Sequence, residues 1–241
     1  MNRLTITDLK EIINGHRSYS YSKQDIGNAL KSFNFLKSFS KNNLVYGVNT
    51  GFGPMADFKI NKEDQIKLQY NLIRSHSSGM GAVLPTKVVK LIMIIRLHTF
   101  LQGKSGVSQS LINTLSNYID NGIYPDIYEH GGVGASGDLV QLAHLTLGII
   151  GEGKGVNNKG EKDYISKLIK ESNLQPHKLE LRDGLAMING TACMTALSTI
   201  NIINSRILIK WSVKVAAMML EIFSSYDDYM SKELNQVKLH K

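Results

Sequence analysis

The sequence predicts a mainly α-helical protein, a helical bundle preceded by a small mixed N-terminal region. Three observations predict it. Apolar residues recur at helical spacing from Met194 through Leu197, Ile200, Ile203, Leu208, Trp211, Val215 and Met219 to Ile222, a run long enough for one bundle helix or two in tandem. Two earlier stretches, 62–75 and 87–102, repeat the same period behind residues suited to capping. Glycine clusters punctuate the chain between them and leave room only for short strands.

In order, residues 5–40 read as two short helices around a Ser/Tyr-rich turn at 18–22. Tyr46-Gly-Val-Asn-Thr-Gly-Phe-Gly53 has too many glycines for a regular helix or strand and is a compact loop, the kind of segment that carries function more often than packing. Asn61 is placed to cap a helix from Lys62 to about Ser75, with Ile66, Tyr70 and Ile73 on one face. That helix ends in Ser75-His76-Ser77-Ser78-Gly79. Thr86 caps the next, Lys87 to Gln102, whose stripe of Val88, Leu91, Ile92, Ile95 and Phe100 is core. Ser108 caps another that stops before Gly122. An apolar helix follows from Leu139, then a solvated turn or small hairpin over 151–163. Tyr164–Glu171 reads as a short helix and Lys178–Leu181 as a short strand. Asn189-Gly190-Thr191 interrupts the final helical run near its start, because Asn and Gly are poor helix formers.

Composition narrows the class. The 241 residues are 42% hydrophobic and 20% charged, which describes a globular chain. The net charge of +8 is spread along the sequence without basic–aromatic alternation, so no nucleic-acid partner is expected. The single cysteine, Cys193, lies in an apolar helical run; it reads as a core residue and implies a reducing compartment. No signal peptide is recognisable at Met1-Asn2-Arg3-Leu4. The apolar runs near 91–95 and 213–222 are too short, or too interrupted by Lys and Arg, to span a bilayer. The expected setting is cytoplasmic, with no membrane partner.

The chemistry centres on Gly131-Gly132-Val133-Gly134-Ala135-Ser136-Gly137-Asp138-Leu139. A turn this poor in side chains lets backbone atoms approach one another, and the helix after it points free N–H groups back at the turn. The amide nitrogen of Gly137 can attack the carbonyl carbon of Ala135. Loss of water closes a five-membered ring, and loss of a second water from Ser136 leaves an exocyclic methylidene. The product, a methylidene-imidazolone, is an electrophile that needs no external cofactor. Gly132-x-Gly134-x-x-Gly137 also spells a dinucleotide-binding fingerprint, but that reading needs a buried strand just before it. The preceding Ile123-Tyr-Pro-Asp-Ile-Tyr-Glu-His130 has a proline and charges in its middle and makes a poor central strand. Gly148-x4-Gly153-Lys154 follows a helix end and lacks the hydroxyl residue of a phosphate loop. No metal-ligating set stands out.

His130-Gly-Gly-Val-Gly-Ala-Ser-Gly-Asp-Leu-Val-Gln-Leu-Ala-His144 resembles the signature of the aromatic amino acid ammonia-lyases, the histidine ammonia-lyase family. Tyr46–Gly53, Asn71–Gly79 and Gly184–Thr191 agree with it in order and spacing, and the similarity runs from about Lys10 to Lys241. The resemblance implies a histidine ammonia-lyase-like helical bundle. Residues 1–182 would form the region bearing the methylidene-imidazolone, and 183–241 the start of a central bundle cut before its remainder. It implies elimination of ammonia from an aromatic amino acid, L-histidine to urocanate first and tyrosine to p-coumarate as the alternative. Catalytic roles fall on Tyr46, a general base, and on Ala135, Ser136 and Gly137. Ser75, His76 and Asn189 would bind substrate. The family's sites are shared within homotetramers, so this chain by itself is expected to be inactive or severely impaired. A non-catalytic remnant that binds a full-length partner is the other reading. The turn Gly103-Lys104-Ser105-Gly106 departs from the family, which commonly has tyrosine where Lys104 stands.

Overall fold

Helix dominates the computed structural model, which describes residues 3–238. The chain divides into two compact units between Thr199 and Ile200. In the first unit, α1 (Ile6–Ile13) and α2 (Lys23–Phe39) each open on a capping box, Thr5 with Asp8 and Ser22 with Asp25, so that a hydroxyl and a carboxylate satisfy two otherwise unpaired N–H groups. The glycine-rich loop that follows holds one turn of 3-10 helix at Gly53–Met55. Then come α3 (Lys62–His76), β1 (Met80–Val83), α4 (Thr86–Leu101) and α5 (Gln109–Asn121). Ser108 caps α5 through its hydroxyl, which accepts from the Leu111 N–H at 3.1 Å. Asn61 holds the N-cap position of α3 without a side-chain bond, and Pro85 takes that of α4, leaving Thr86 as the first helical residue.

α4 is the axis of the core. Leu91, Ile92, Met93, Ile94, Leu97, Phe100 and Leu101 are fully buried, so the helix is covered on more than the single stripe its apolar period suggests, and Ile95 is only half-buried. A helix apolar nearly all round lies inside its domain. It packs against α5, whose Leu111, Ile112, Leu115 and Tyr118 are also fully buried. The Tyr118 hydroxyl donates to the Gly148 carbonyl at 3.2 Å, giving a buried phenol its partner.

The strands are short. β2 (Tyr124–Pro125) and β3 (Tyr128–His130) precede the central turn and α6 (Leu139–Ile149); β4 (Lys154–Val156) and β5 (Lys162–Tyr164) form the hairpin expected over 151–163. β1 pairs with β3 and β2 with β4, all antiparallel. This removes the dinucleotide-binding reading, which requires a buried parallel strand before the turn. α7 (Ile165–Glu171) matches expectation. The strand expected at Lys178–Leu181 is absent: the Leu179 N–H donates to the Tyr70 hydroxyl and the Glu180 N–H to Asp183, so side chains satisfy what a ladder would. α8 (Asp183–Ile188) ends at Asn189, and α9 (Ala192–Ile222) begins beyond the expected break. Ala192, Cys193, Ala196 and Thr199 bury the first turns of α9, and burial pushes the Cys193 thiol up to about 12, the state of an inert core cysteine.

The second unit holds the rest of α9, a 3-10 turn at Asp227–Met230 and α10 (Lys232–Gln236). Here Leu208, Trp211, Val213, Met218 and Ile222 are exposed. By length and composition alone, Asp183–Ile222 is long and apolar enough to cross a membrane. Taking apolar runs one by one misses this span, because Lys210 and Lys214 divide it.

Candidate active site

The glycine-rich turn joins β3 to α6. Gly137 adopts φ +94°, and a Cβ there would stand 2.6 Å from the Gly190 carbonyl oxygen. Only glycine fits a left-handed backbone pressed that closely on another main chain. Ala135 and Ser136 are exposed, and Asp138 is buried. The Asp138 N–H donates to the Gly190 carbonyl at 2.8 Å, while its carboxylate accepts from the Met194 N–H at 2.9 Å. Asp138 therefore stands at the N-cap of α6 yet caps the first turn of α9. Two helix N-termini converge where the 135–137 turn ends, and their dipoles favour negative charge there.

The break between α8 and α9 is held from its other side by Arg96, whose Nη2 donates to the Asn189 carbonyl at 3.0 Å. A side chain on Gly190 would overlap the Arg96 guanidinium. Burial brings the Arg96 pKa down to about 10, against the opposing pull of the Asp138 carboxylate. The guanidinium also lies 4.8 Å from the Phe100 ring centroid, a cation–π contact. The Asn189 side chain is exposed beside the docked turn.

Tyr46 is exposed; its hydroxyl accepts from the Gly53 N–H at 3.2 Å and its ring meets Phe52 edge-on at 6.0 Å. Its loop is tied to α8 by Gln69, which is 1% exposed. Gln69 Nε2 donates to the Gly47 carbonyl at 2.8 Å, and Oε1 accepts from the Leu185 N–H at 2.8 Å. Gln69→Ala leaves two buried backbone groups unpaired, at about 1–3 kcal/mol for each. The expected outcome is a fall in thermal midpoint with the helix content unchanged, read by circular dichroism.

Ser75 and His76 close α3. The Ser75 hydroxyl donates to the Leu72 carbonyl at 3.1 Å and His76 Nδ1 donates to the same oxygen at 2.9 Å. A carbonyl only accepts, so Nδ1 carries a proton in this contact and the ring turns Nε2 away from it. The following loop is pinned by His144 of α6, whose Nε2 accepts from the Gly79 N–H at 2.9 Å. Burial lowers the His144 pKa and favours the neutral ring that this bond requires.

The structure thus joins the Asn189 break directly to the 135–137 turn. It ties the loop after Tyr46 to α8, which leads into that break, through Gln69, and the loop after His76 to α6 through His144. Sequence reasoning missed Gln69, Arg96, Asp138, His144 and Asp183. Only Asp138 and His144 carried a signal, as members of the stretch that flanks the turn.

A helical scaffold here docks a small-residue turn on a helix break, where the N-termini of α6 and α9 meet. The sequence model for aromatic amino acid lyases matches residues 4–241, and the chain belongs to that family. It is 36% identical over 236 residues to a histidine ammonia-lyase of Staphylococcus saprophyticus, covering 98% of this chain and 47% of that one. Over 193 residues it is 40% identical to a histidine ammonia-lyase of Bacillus cytotoxicus, covering 78% and 38%. The crystal structure of histidine ammonia-lyase from Trypanosoma cruzi superposes with a TM-score of 0.89 at 26% identity, over 99% of this chain and 47% of that one. The chain spans about half the length, or less, of these relatives.

Proposed function

We propose that these residues belong to an ammonia-lyase acting on L-histidine in its assembled form, and that Ala135, Ser136 and Gly137 close into a methylidene-imidazolone. The observation that carries the reading is the docking of the 135–137 turn on the Asn189–Gly190 break through Asp138. The turn fits the ring: a side chain at 137 is excluded, and Ser136 is exposed and makes no hydrogen bond among the described residues, so its hydroxyl can leave. The ring supplies an electrophile toward the substrate's amino group and turns a poor leaving group into a better one.

The chain's own residues do the rest. Asn189 orients the substrate carboxylate at the break. His76, with Ser75, faces the aromatic side chain and offers Nε2 to an imidazole N–H. Tyr46 removes the β-proton as general base. The names carried by the two bacterial relatives support histidine. A serine–histidine pair also suits a phenol, and tyrosine remains the second substrate of the panel. The exposed apolar face of α9 supports a homotetramer in which this helix is covered, in a cytoplasmic enzyme.

The test is urocanate or coumarate release from histidine, tyrosine and phenylalanine by the assembled enzyme. Histidine as the preferred substrate supports the reading; no ammonia from any of the three ends it. Tyr46→Phe is expected to lower kcat by about 10²–10⁴-fold, the usual range for losing a positioned general base, with KM little changed. An unchanged kcat removes Tyr46 from the mechanism.

A further inference from the structure

Two buried side-chain nitrogens lack a hydrogen-bond partner among the described residues, Nε of Arg96 and Nε of Arg182. Both arginines line one cavity of about 370 Å³, together with Lys104, Thr99, Ser105 and Thr191. None of its lining residues is acidic. Arg96 is 5% exposed, and the Arg182 side chain makes no hydrogen bond or ion pair among the described residues. Burial lowers both pKa values, and the charge of Arg182 adds a smaller lowering at Arg96. Asp138 offsets part of this, but its carboxylate is engaged with the Met194 N–H.

Buried charges are ordinarily paired, because desolvation without a partner is costly. Two adjacent arginines without a carboxylate of their own in the cavity, ringed by hydroxyls, ask for an anion. Guanidinium forks match the oxygen spacing of phosphate. Exposed Lys104 adds a third positive charge, at the position where the sequence departs from its family. Neither the 135–137 turn nor Tyr46 or His76 lines the cavity, but Asn189 and Thr191 do, so it adjoins the proposed substrate-carboxylate position without containing the turn.

We propose that this cavity binds a phosphate-class oxyanion, held by Arg96 and Arg182 with Lys104 beside them. The site does not depend on the lyase reading. Isothermal titration of the purified protein with sodium phosphate, against sodium chloride at matched ionic strength, reads it directly. Saturable binding at one site per chain is expected, with competition by sulfate and slowed amide exchange at 190–195. Arg182→Gln is expected to weaken binding by about tenfold or more, the usual worth of a charge-assisted bond, and Lys104→Gln by several-fold. Lys104 is exposed, so that variant folds even where Arg182→Gln does not. No saturable heat above chloride, or binding that both variants leave unchanged, overturns the proposal. So does a structure of the assembled protein with a carboxylate of another segment seated between the two arginines.

Discussion

Ser136→Ala is expected to leave the fold intact and to abolish ammonia release. The two consequences separate because Ser136 is exposed and makes no hydrogen bond among the described residues. A substitution of that kind changes stability by no more than about 0.5 kcal/mol. Its expected chemical effect is large, since in the proposed ring closure the hydroxyl is the group that departs to create the methylidene. Mass spectrometry counts the waters. The wild-type peptide spanning Ala135–Gly137 should be lighter than its sequence by two waters. The alanine variant should be lighter by at most one, because ring closure alone removes one and the second has no source. Turnover in the assembled enzyme should fall to background. A wild-type peptide of full mass refutes ring formation. A variant that turns over as fast as wild type refutes the role of the ring, whatever the mass shows.

The separation also marks where sequence reasoning succeeds. The turn at 135–137 is legible as a turn because it is three small residues in a row, and the structure places glycine at 137 where a side chain would not fit. The helices are legible because their period is local: α3 and α5 begin behind Asn61 and Ser108, and α1, α2 and α7 fall within the stretches read as helical. α4 shows the limit. Its stripe is visible, but burial all round depends on α2, α5 and β2 covering other faces, which no local period records. The strand expected at Lys178–Leu181 fails for a related reason, since the partner of Leu179 is a tyrosine hydroxyl 109 residues away. Gln69 illustrates the same blindness at the site: a glutamine on a polar helix gives no sign that it bonds Gly47 on one side and Leu185, 116 positions on, at the other. What holds the four glycine-rich segments together is long-range polar bonding, and such bonds leave almost no pattern in one sequence.

Asp183 is the sharpest case, and Asp183→Ala is expected to cost about 3–5 kcal/mol, the range for removing one partner of a buried polar pair. Its side chain is fully buried. Oδ2 accepts from His177 Nε2 at 2.9 Å and from the Ser108 hydroxyl at 2.7 Å, and Oδ1 accepts from the Ser108 N–H at 2.9 Å. The Glu180 N–H adds a further bond to Oδ2 at 3.2 Å. One carboxylate therefore ties the start of α5, the segment after α7 and the first residue of α8. Its loss leaves His177 Nε2 and the Ser108 N–H without their acceptor, while His177 Nδ1 keeps the Ser110 hydroxyl at 3.1 Å. Proteins hold only about 5–15 kcal/mol in total, so Asp183→Ala is expected to lose a large share of the folded population at 37 °C. Asp183→Asn keeps an acceptor oxygen and the side-chain shape, and it is expected to cost clearly less. Denaturant unfolding of the three proteins reads the order directly. Because α8 leads into Asn189, the same substitution should speed amide exchange at Asn189 and Gly190 under native conditions. If Asp183→Ala unfolds at the wild-type denaturant midpoint, the break that the 135–137 turn docks on is held by something other than this carboxylate.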